Sequence, residues 1–257
     1  MAGFRFILRG QRWISPLVLI LLWELGSRLG AIPARVLAAP SSVTQTAWDM
    51  IVSGELPSNM LVSLARAMTG LAFGVVIGSA LAVAAGLTRT GENVVDAPIQ
   101  MLRTLPTLAL TPLFIVWFGI GETPKIALIT LGTTFPIYLN LYNGIRGVDP
   151  KLIEAARSFG LKGWDLVWHI VLPAALPSFL LGLRFALAGS WLILVVAEQI
   201  NATAGLGYLI NNARDFSRTD IIVVCLVVYA LLGLTADMIV RTLERHALAW
   251  RPSFIRS

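Results

Sequence analysis

The chain has 257 residues, of which 56% are hydrophobic and 13% charged, and it carries a net charge of +6. So few charges cannot cover a soluble globule of this length, where about 25% is usual, and so apolar a composition is not that of a disordered chain. One cysteine and 22 glycines exclude a disulfide scaffold and a collagen-like repeat, and the basic excess fits the cytoplasmic flank of a membrane protein better than a nucleic-acid partner.

A bilayer core of about 30 Å needs about 20 helical residues. The first apolar run, 13–31, follows Arg5, Arg9 and Arg12 and contains Glu24. Its basic start also resembles a secretory signal, but no clear small-residue cleavage site follows, so retention is expected. Runs at 62–88, 98–119, 125–145, 177–198 and 220–240 complete six predicted spans. None alternates as a barrel strand does. The predicted fold is all-α: a polytopic membrane protein of six transmembrane helices, one permease-like domain over 1–257. Cys225 lies in an apolar run and reads as a small buried side chain.

With the N-terminus inside, the cytoplasmic segments hold Arg5, Arg9, Arg12, Arg89, Arg146, Lys151, Arg157, Lys162, Arg241, Arg245, Arg251 and Arg256. The outer segments hold Arg28, Arg35, Lys125, Arg214 and Arg218. Twelve against five predicts that both termini are cytoplasmic. Trp13, Trp117 and Trp250 fall near the predicted interfaces. Two long segments do not span, an outer one near 32–61 and an inner one at 146–173.

The inner segment is patterned. Asp149-Pro150 reads as an N-cap followed by proline at the first helical position. Leu152, Ala155, Ala156 and Phe159 recur at helical spacing as one apolar stripe, and Gly160 is placed to stop the helix through a positive φ. A second amphipathic piece, Trp164 to Leu172, leads to Pro173 and the fifth span. The expected object is a short helix lying crosswise on the cytoplasmic face, whose paired alanines admit a partner's backbone.

Glu154-Ala155-Ala156, Gly160, Ile170 and Leu172-Pro173 stand at the spacing of the EAA loop and resemble that of ABC importer permeases. The resemblance extends through Leu102-Arg103, Pro106, Trp117-Phe118-Gly119, Gly121-Glu122, Phe135-Pro136, Asn140, Gly182-Leu183-Arg184, Ala197-Glu198 and Gly205-Leu206-Gly207, which look like sulfonate, taurine and nitrate permeases. Asn212-Ala213-Arg214-Asp215-Phe216 and Tyr229-Ala230-Leu231-Leu232-Gly233 lean toward the aliphatic-sulfonate permeases.

The resemblance implies a type I importer permease in a bacterial inner membrane, whose coupling helix docks on a separate ATPase subunit. It assigns ATPase coupling to Glu154, Ala155, Ala156, Gly160, Ile170, Leu172 and Pro173. The other reading of this loop is an interfacial helix resting on lipid headgroups. The implied partners are two ATPase subunits, a second copy of the chain and a periplasmic or lipid-anchored solute-binding protein. No cofactor is expected on this chain; its three lysines follow no P-loop glycines, so ATP and Mg belong to the partner ATPase. Two ATP sites and one coupling loop per chain call for a C₂ dimer.

Within the spans, Gly70, Gly74, Gly78, Ala82 and Gly86 repeat every fourth residue, as in a close helix contact or a sliding seam. Pro106, Pro112 and Pro136 each remove a backbone donor and mark the third to fifth spans as the expected pathway wall. The pathway candidates are Arg66, Gln100, Arg103, Pro106, Asn140, Arg184 and Glu198. Arg103 and Arg184 lie at inner span ends, where snorkelling explains them. Arg66 and Glu198 lie at outer ends, where Arg66 either draws an anionic solute or joins a structural ion pair. Gln100 and Asn140 line a passage or bond between helices. His169 and His246 lack metal-ligand spacing, and no metal site is expected. Ser190 has no nucleophile-elbow pattern. The rival classes are a gradient-driven secondary transporter and a membrane scaffold. The first needs coupling carboxylates at mid-membrane, and only Glu24 is expected near the middle of a span.

Overall fold

The computed structural model describes residues 2–249, and all of their secondary structure is helical. Trp250, Arg251 and Arg256 lie outside the described residues, as do the side chains of Arg5, Arg9, Arg12 and Trp13. The helices are α1 Ala2–Arg28, α2 Pro40–Val52, α3 Glu55–Leu87, α4 Arg89–Gly91, α5 Ala97–Leu102, α6 Thr111–Phe118, α7 Glu122–Arg146, α8 Pro150–Ser158, α9 Gly163–Leu166, α10 Leu172–Asn201, α11 Leu206–Asp215 and α12 Thr219–Ala247.

Among the described residues, three helices are long and apolar enough to cross a membrane: α3, the continuous helix Gly163–Ile200, and α12. A fourth crossing is added if Arg89–Leu102 and Thr107–Phe118 form one broken span. Helix α7 is 25 residues long, about 37 Å at 1.5 Å per residue, but carries several threonines and two asparagines. Its Leu128, Ile129, Thr133, Ile137 and Tyr138 are fully buried, so protein neighbours cover much of it.

The third apolar run is not one straight helix. Its halves bend by 86° across residues 103–106. Pro106 has no N–H to give and sits at ψ 107°, while the residue before a proline avoids the α region. Pro112 lies in the first turn of α6, where a missing donor costs nothing, and Pro136 stays inside α7. So of the three prolines expected to kink a span, Pro106 marks the break and Pro112 starts a helix.

The fifth span also departs from expectation. No break precedes it, because α9 runs through a π turn, Val167–Val171, directly into α10 with Pro173 in its first turn. A second π turn, Glu92–Asp96, stands in the same relation to Pro98 at the start of α5. A proline clashes with the carbonyl four residues back, and a widened turn just before it gives that carbonyl room.

The contacts divide the chain into two units. In the first, Met1–Val62 with Thr203–Tyr229, the outer segment near 32–61 is tied down by side chains. Glu24 accepts from Arg28 Nε at 2.6 Å and from the Ser41 amide and hydroxyl at 3.1 and 2.9 Å. Glu24 sits one turn from the end of α1. Thr46 donates to Asp220 at 2.7 Å, Thr219 to the Ala34 carbonyl at 2.7 Å, and the Gly205 amide to Asn59 Oδ1 at 2.7 Å. Just before α12, the Asp220 carboxylate raises the pKa of the Arg218 guanidinium above its ordinary value. Cys225 is fully buried, as its apolar setting predicts.

In the second unit, Ser63–Ala202 with Ala230–Ser257, the glycine stripe of α3 lies on α7. A Cβ at Gly70 would stand 2.6 Å from Ile129, at Gly74 1.9 Å from Thr133 Oγ1, and at Gly78 2.7 Å from the Thr134 carbonyl. On another side of α7, a Cβ at Gly182 of α10 would meet the Pro136 carbonyl at 2.8 Å. Small residues thus let two long helices approach α7 backbone to backbone. Phe135, Tyr138, Leu141 and Ile145 of α7 pack with Ala82, Ala85, Val148 and Val171 in one core, and Ile137 packs with Leu71, Ala186, Leu187, Ala236 and Val240 in another.

Candidate functional site

The inner loop forms the expected short helix, α8. Asp149 caps it by accepting from the Lys151 amide at 2.9 Å, and Pro150 opens it. Gly160 closes it at φ +90°; its amide bonds to the Arg157 carbonyl at 3.0 Å and the Leu161 amide to Ala156 at 3.1 Å. That pair of bonds is a Schellman stop, which needs a residue in the left-handed region. The stripe is split in use. Ala156 is buried and Ile153 packs against the α7 core, whereas Leu152, Ala155 and Phe159 face outward, Phe159 at 88% exposure. Glu154 and Gly160 are exposed, Ile170 and Leu172 half-buried, and Pro173 exposed in the first turn of α10.

A buried charge cluster occupies the start of α7 in the second unit. Arg66 Nη1 lies 2.6 Å from Glu198 Oε1, and Nη2 lies 2.7 Å from Glu122 Oε1, with Nε bonded to the other Glu122 oxygen. Ser63 Oγ donates to the Glu198 carboxylate at 2.8 Å, and Lys125 Nζ to Glu122 Oε1 at 3.1 Å. Arg66, Lys125 and Glu198 are each at least 96% buried, while the Glu122 side chain is half-exposed. Two cations meet two carboxylates, so the cluster is neutral and its members hold one another in place.

The remaining pathway candidates are scattered. Gln100 donates to Asp96 Oδ1 at 3.3 Å, beside the Tyr138 hydroxyl at 2.9 Å from the same oxygen. Arg103 and Pro106 are exposed at the break in the third run. Asn140 Nδ2 donates to the Pro136 carbonyl at 2.8 Å within α7. Arg184 Nε lies 2.9 Å from Asp237 Oδ1. His169 and His246 each bond to a carbonyl four residues back, and Ser190 donates to Leu187 at 2.7 Å.

Sequence reasoning singled out neither Lys125 and Asp237 nor Ser63 as members of these clusters, and cited Glu122 only for its resemblance. Asp237 had a usable signal: a carboxylate inside the last apolar run needs a cation, and Arg184 is the cation inside the fifth. Lys125 had none, since its burial comes from packing around α7.

Residues 70–248 match the family described as the binding-protein-dependent transport system inner membrane component. The chain belongs to this family. The permease is 46% identical over 250 residues to SsuC of Escherichia coli (strain K12), named as an aliphatic sulfonates transport permease, covering 97% of this chain and 95% of that one. Against SsuC of Bacillus subtilis (strain 168) the figures are 44%, 94% and 87%, and against the taurine transport permease TauC of Escherichia coli 34%, 91% and 86%. Among solved structures, an amino acid ABC transporter with histidines matches at TM-score 0.66 and 18% identity over 77% of the permease and 97% of that chain. The inward-facing MetNI methionine ABC transporter matches at 0.57 and 24% over 70% and 92%. Both share the helical fold. The permease is thus a multi-helix inner membrane component of an ABC transport system, and the ATPase and the binding protein are other components of such a system.

Proposed function

We propose that this permease is the membrane-spanning subunit of an ATP-driven importer for aliphatic sulfonates. Two copies form a C₂ dimer with two ATPase subunits and a periplasmic or lipid-anchored binding protein. Six crossings are made by α1, α3, the broken pair Arg89–Leu102 and Thr107–Phe118, α7, Gly163–Ile200 and α12, with both termini cytoplasmic. Arg66, Gln100, Arg103, Pro106, Asn140, Arg184 and Glu198 are the candidates for the pathway wall and its supports. The chain binds no cofactor; ATP and Mg sit on the ATPase.

The observation that carries the coupling is α8. It is capped at both ends, pinned to the bundle by Ile153 and Ala156, and presents Leu152, Ala155 and Phe159 outward beside Glu154. Exposed apolar groups on a rigid, capped rod suit a groove on a partner. Because the rod adjoins α7 and the helix beginning at Gly163, a displacement of α8 by closing ATPase subunits reaches two long helices that touch through Gly182. The solute assignment rests on the two SsuC relatives.

Two experiments test the reading. Co-purification of the ATPase with Glu154→Ala and Gly160→Val variants should fall well below wild type; full association of both removes α8 from the interface. A deletion strain lacking redundant systems should fail to grow on alkanesulfonates as sole sulfur source, and normal growth rejects the solute.

A further inference from the structure

At the end of α1 away from the N-terminus, within the first unit, Ser27, Arg28, Arg35, Ser42, Ser217 and Asp220, among others, line an open pocket of about 640 Å³. Ligand sites commonly span about 300–1,000 Å³. Three observations give this one a chemistry. First, its charges do not cancel. Arg28 Nε is matched by Glu24 at 2.6 Å. Asp220 has both oxygens taken, Oδ1 by Arg218 Nε at 3.0 Å and Oδ2 by Arg218 Nη2 at 2.6 Å and Thr46 at 2.7 Å. Arg35 is the cation left over: its side chain makes no hydrogen bond or ion pair among the described residues. The Nη groups of Arg28 and the hydroxyls of Ser27, Ser42 and Ser217 are likewise unspent there. Second, Ser217 holds φ +55°, the one positive φ outside glycine among the described residues. Its amide bonds to the Arg214 carbonyl at 3.1 Å and the Arg218 amide to Ala213 at 2.7 Å, a Schellman stop to α11. Glycine is the usual residue at such a stop, because an L side chain is disfavoured in that region. A serine in its place strains the backbone and sets a hydroxyl in the pocket wall. Third, Leu17, Leu21, Leu25 and Leu29 recur every fourth residue on one face of α1, each more than half exposed. The Leu29 amide bonds to the Leu25 carbonyl at 2.9 Å, so this face runs on to the pocket at Arg28.

We infer that this pocket binds the headgroup of an anionic phospholipid, whose acyl chain lies along the leucine face of α1. The phosphate accepts from Arg35 and from the Nη groups of Arg28, since guanidinium donors form charge-assisted bonds to phosphate oxygens. The three serine hydroxyls supply further donors to the phosphate and its glycerol. An apolar face that ends among arginines and hydroxyls matches an amphiphile. A soluble oxyanion offers the same oxygens but leaves the leucines uncovered. The inference does not depend on which solute the importer carries.

The test uses the complete importer, permease with ATPase subunits, purified in a non-ionic detergent. It is titrated with phosphatidylglycerol or phosphatidylcholine, and bound lipid is counted by native mass spectrometry. Wild type should hold phosphatidylglycerol the more tightly. Arg35→Gln deletes the unmatched cation and should weaken phosphatidylglycerol binding about tenfold. Ser217→Gly keeps the left-handed backbone but removes one donor. It should weaken binding about threefold while leaving the melting temperature unchanged or raised. Both variants should keep ATPase co-purification. Equal wild-type affinity for the two lipids, or wild-type affinity for phosphatidylglycerol in both variants, overturns the inference. Glycerol phosphate carries the headgroup oxygens without the chains. At a concentration equal to the lipid's it should displace none, and displacement assigns the pocket to a soluble oxyanion and overturns the proposal. If the variants instead lose the binding protein in a pull-down while their lipid affinity is unchanged, the pocket is a protein docking surface and the inference falls.

Discussion

Arg66 Nη1 and Glu198 Oε1 lie 2.6 Å apart although 132 residues separate them in the chain. Both side chains are almost wholly buried, so their charges survive only because each is matched. Removing one partner should cost much more than removing both. Glu198→Ala is expected to destabilise the permease by about 3–5 kcal/mol, read as a lowered unfolding midpoint in detergent. Arg66→Met combined with Glu198→Leu should recover most of that loss, because Lys125 and Glu122 remain paired at 3.1 Å. A double variant as unstable as the single would refute this account.

The cluster illustrates what the chain reveals unaided. Arg66 and Glu198 are conspicuous because a charge within an apolar run demands a reason, and hydropathy places both at the same predicted end. Lys125 reads as an ordinary outer-loop cation, since nothing local distinguishes a lysine that packing will bury from one that water will solvate. The π turns at Glu92–Asp96 and Val167–Val171 are equally silent. Only Pro98 and Pro173 point to them, and a proline at a helix start is compatible with several backbones. For α8 the apolar spacing identified a face, the N-cap and the stop were legible residue by residue, but which part of the face turns inward depended on the core beneath Ile153.

That division of the α8 face predicts a separation of stability from association. Phe159 is 88% exposed and supports nothing beneath it, so Phe159→Ala should change permease stability by no more than about 0.5 kcal/mol. If Phe159 anchors the ATPase contact, the same change should weaken association by about 2 kcal/mol, roughly thirtyfold, in a pull-down titration. An unaltered affinity would remove Phe159 from the contact.

The two ends of α8 should act locally. Asp149→Ala removes the cap from the Lys151 amide and is expected to cost about 0.5–2 kcal/mol. Gly160→Ala forces an L side chain into φ +90° and should cost about 1–2 kcal/mol, although no atom lies within 4 Å of its Cβ. Hydrogen exchange should quicken over 150–158 in both variants while the amides of α7 keep their protection. Faster exchange spreading through α7 would mean that α8 and α7 open as one unit.

The glycines of the second unit allow a matched comparison, because identical substitutions meet opposite surroundings. At Gly74 a new Cβ would lie 1.9 Å from Thr133 Oγ1 and 3.0 Å from the Thr130 carbonyl. Thr133 is fully buried and already donates to the Ile129 carbonyl at 2.8 Å, so it has nowhere to retreat and α3 must move off α7. Gly74→Ala should therefore destabilise by about 1–3 kcal/mol, the usual cost of overpacking. At Gly233 the new methyl meets nothing within 4 Å, and only the gain in helix propensity remains. Gly233→Ala should then be neutral or stabilising by up to about 1 kcal/mol. Thermal unfolding of the two variants side by side decides the matter: equal losses would show that the open space beside Gly233 does not spare it, and a stable Gly74→Ala variant would show that the α3–α7 contact is loose enough to yield.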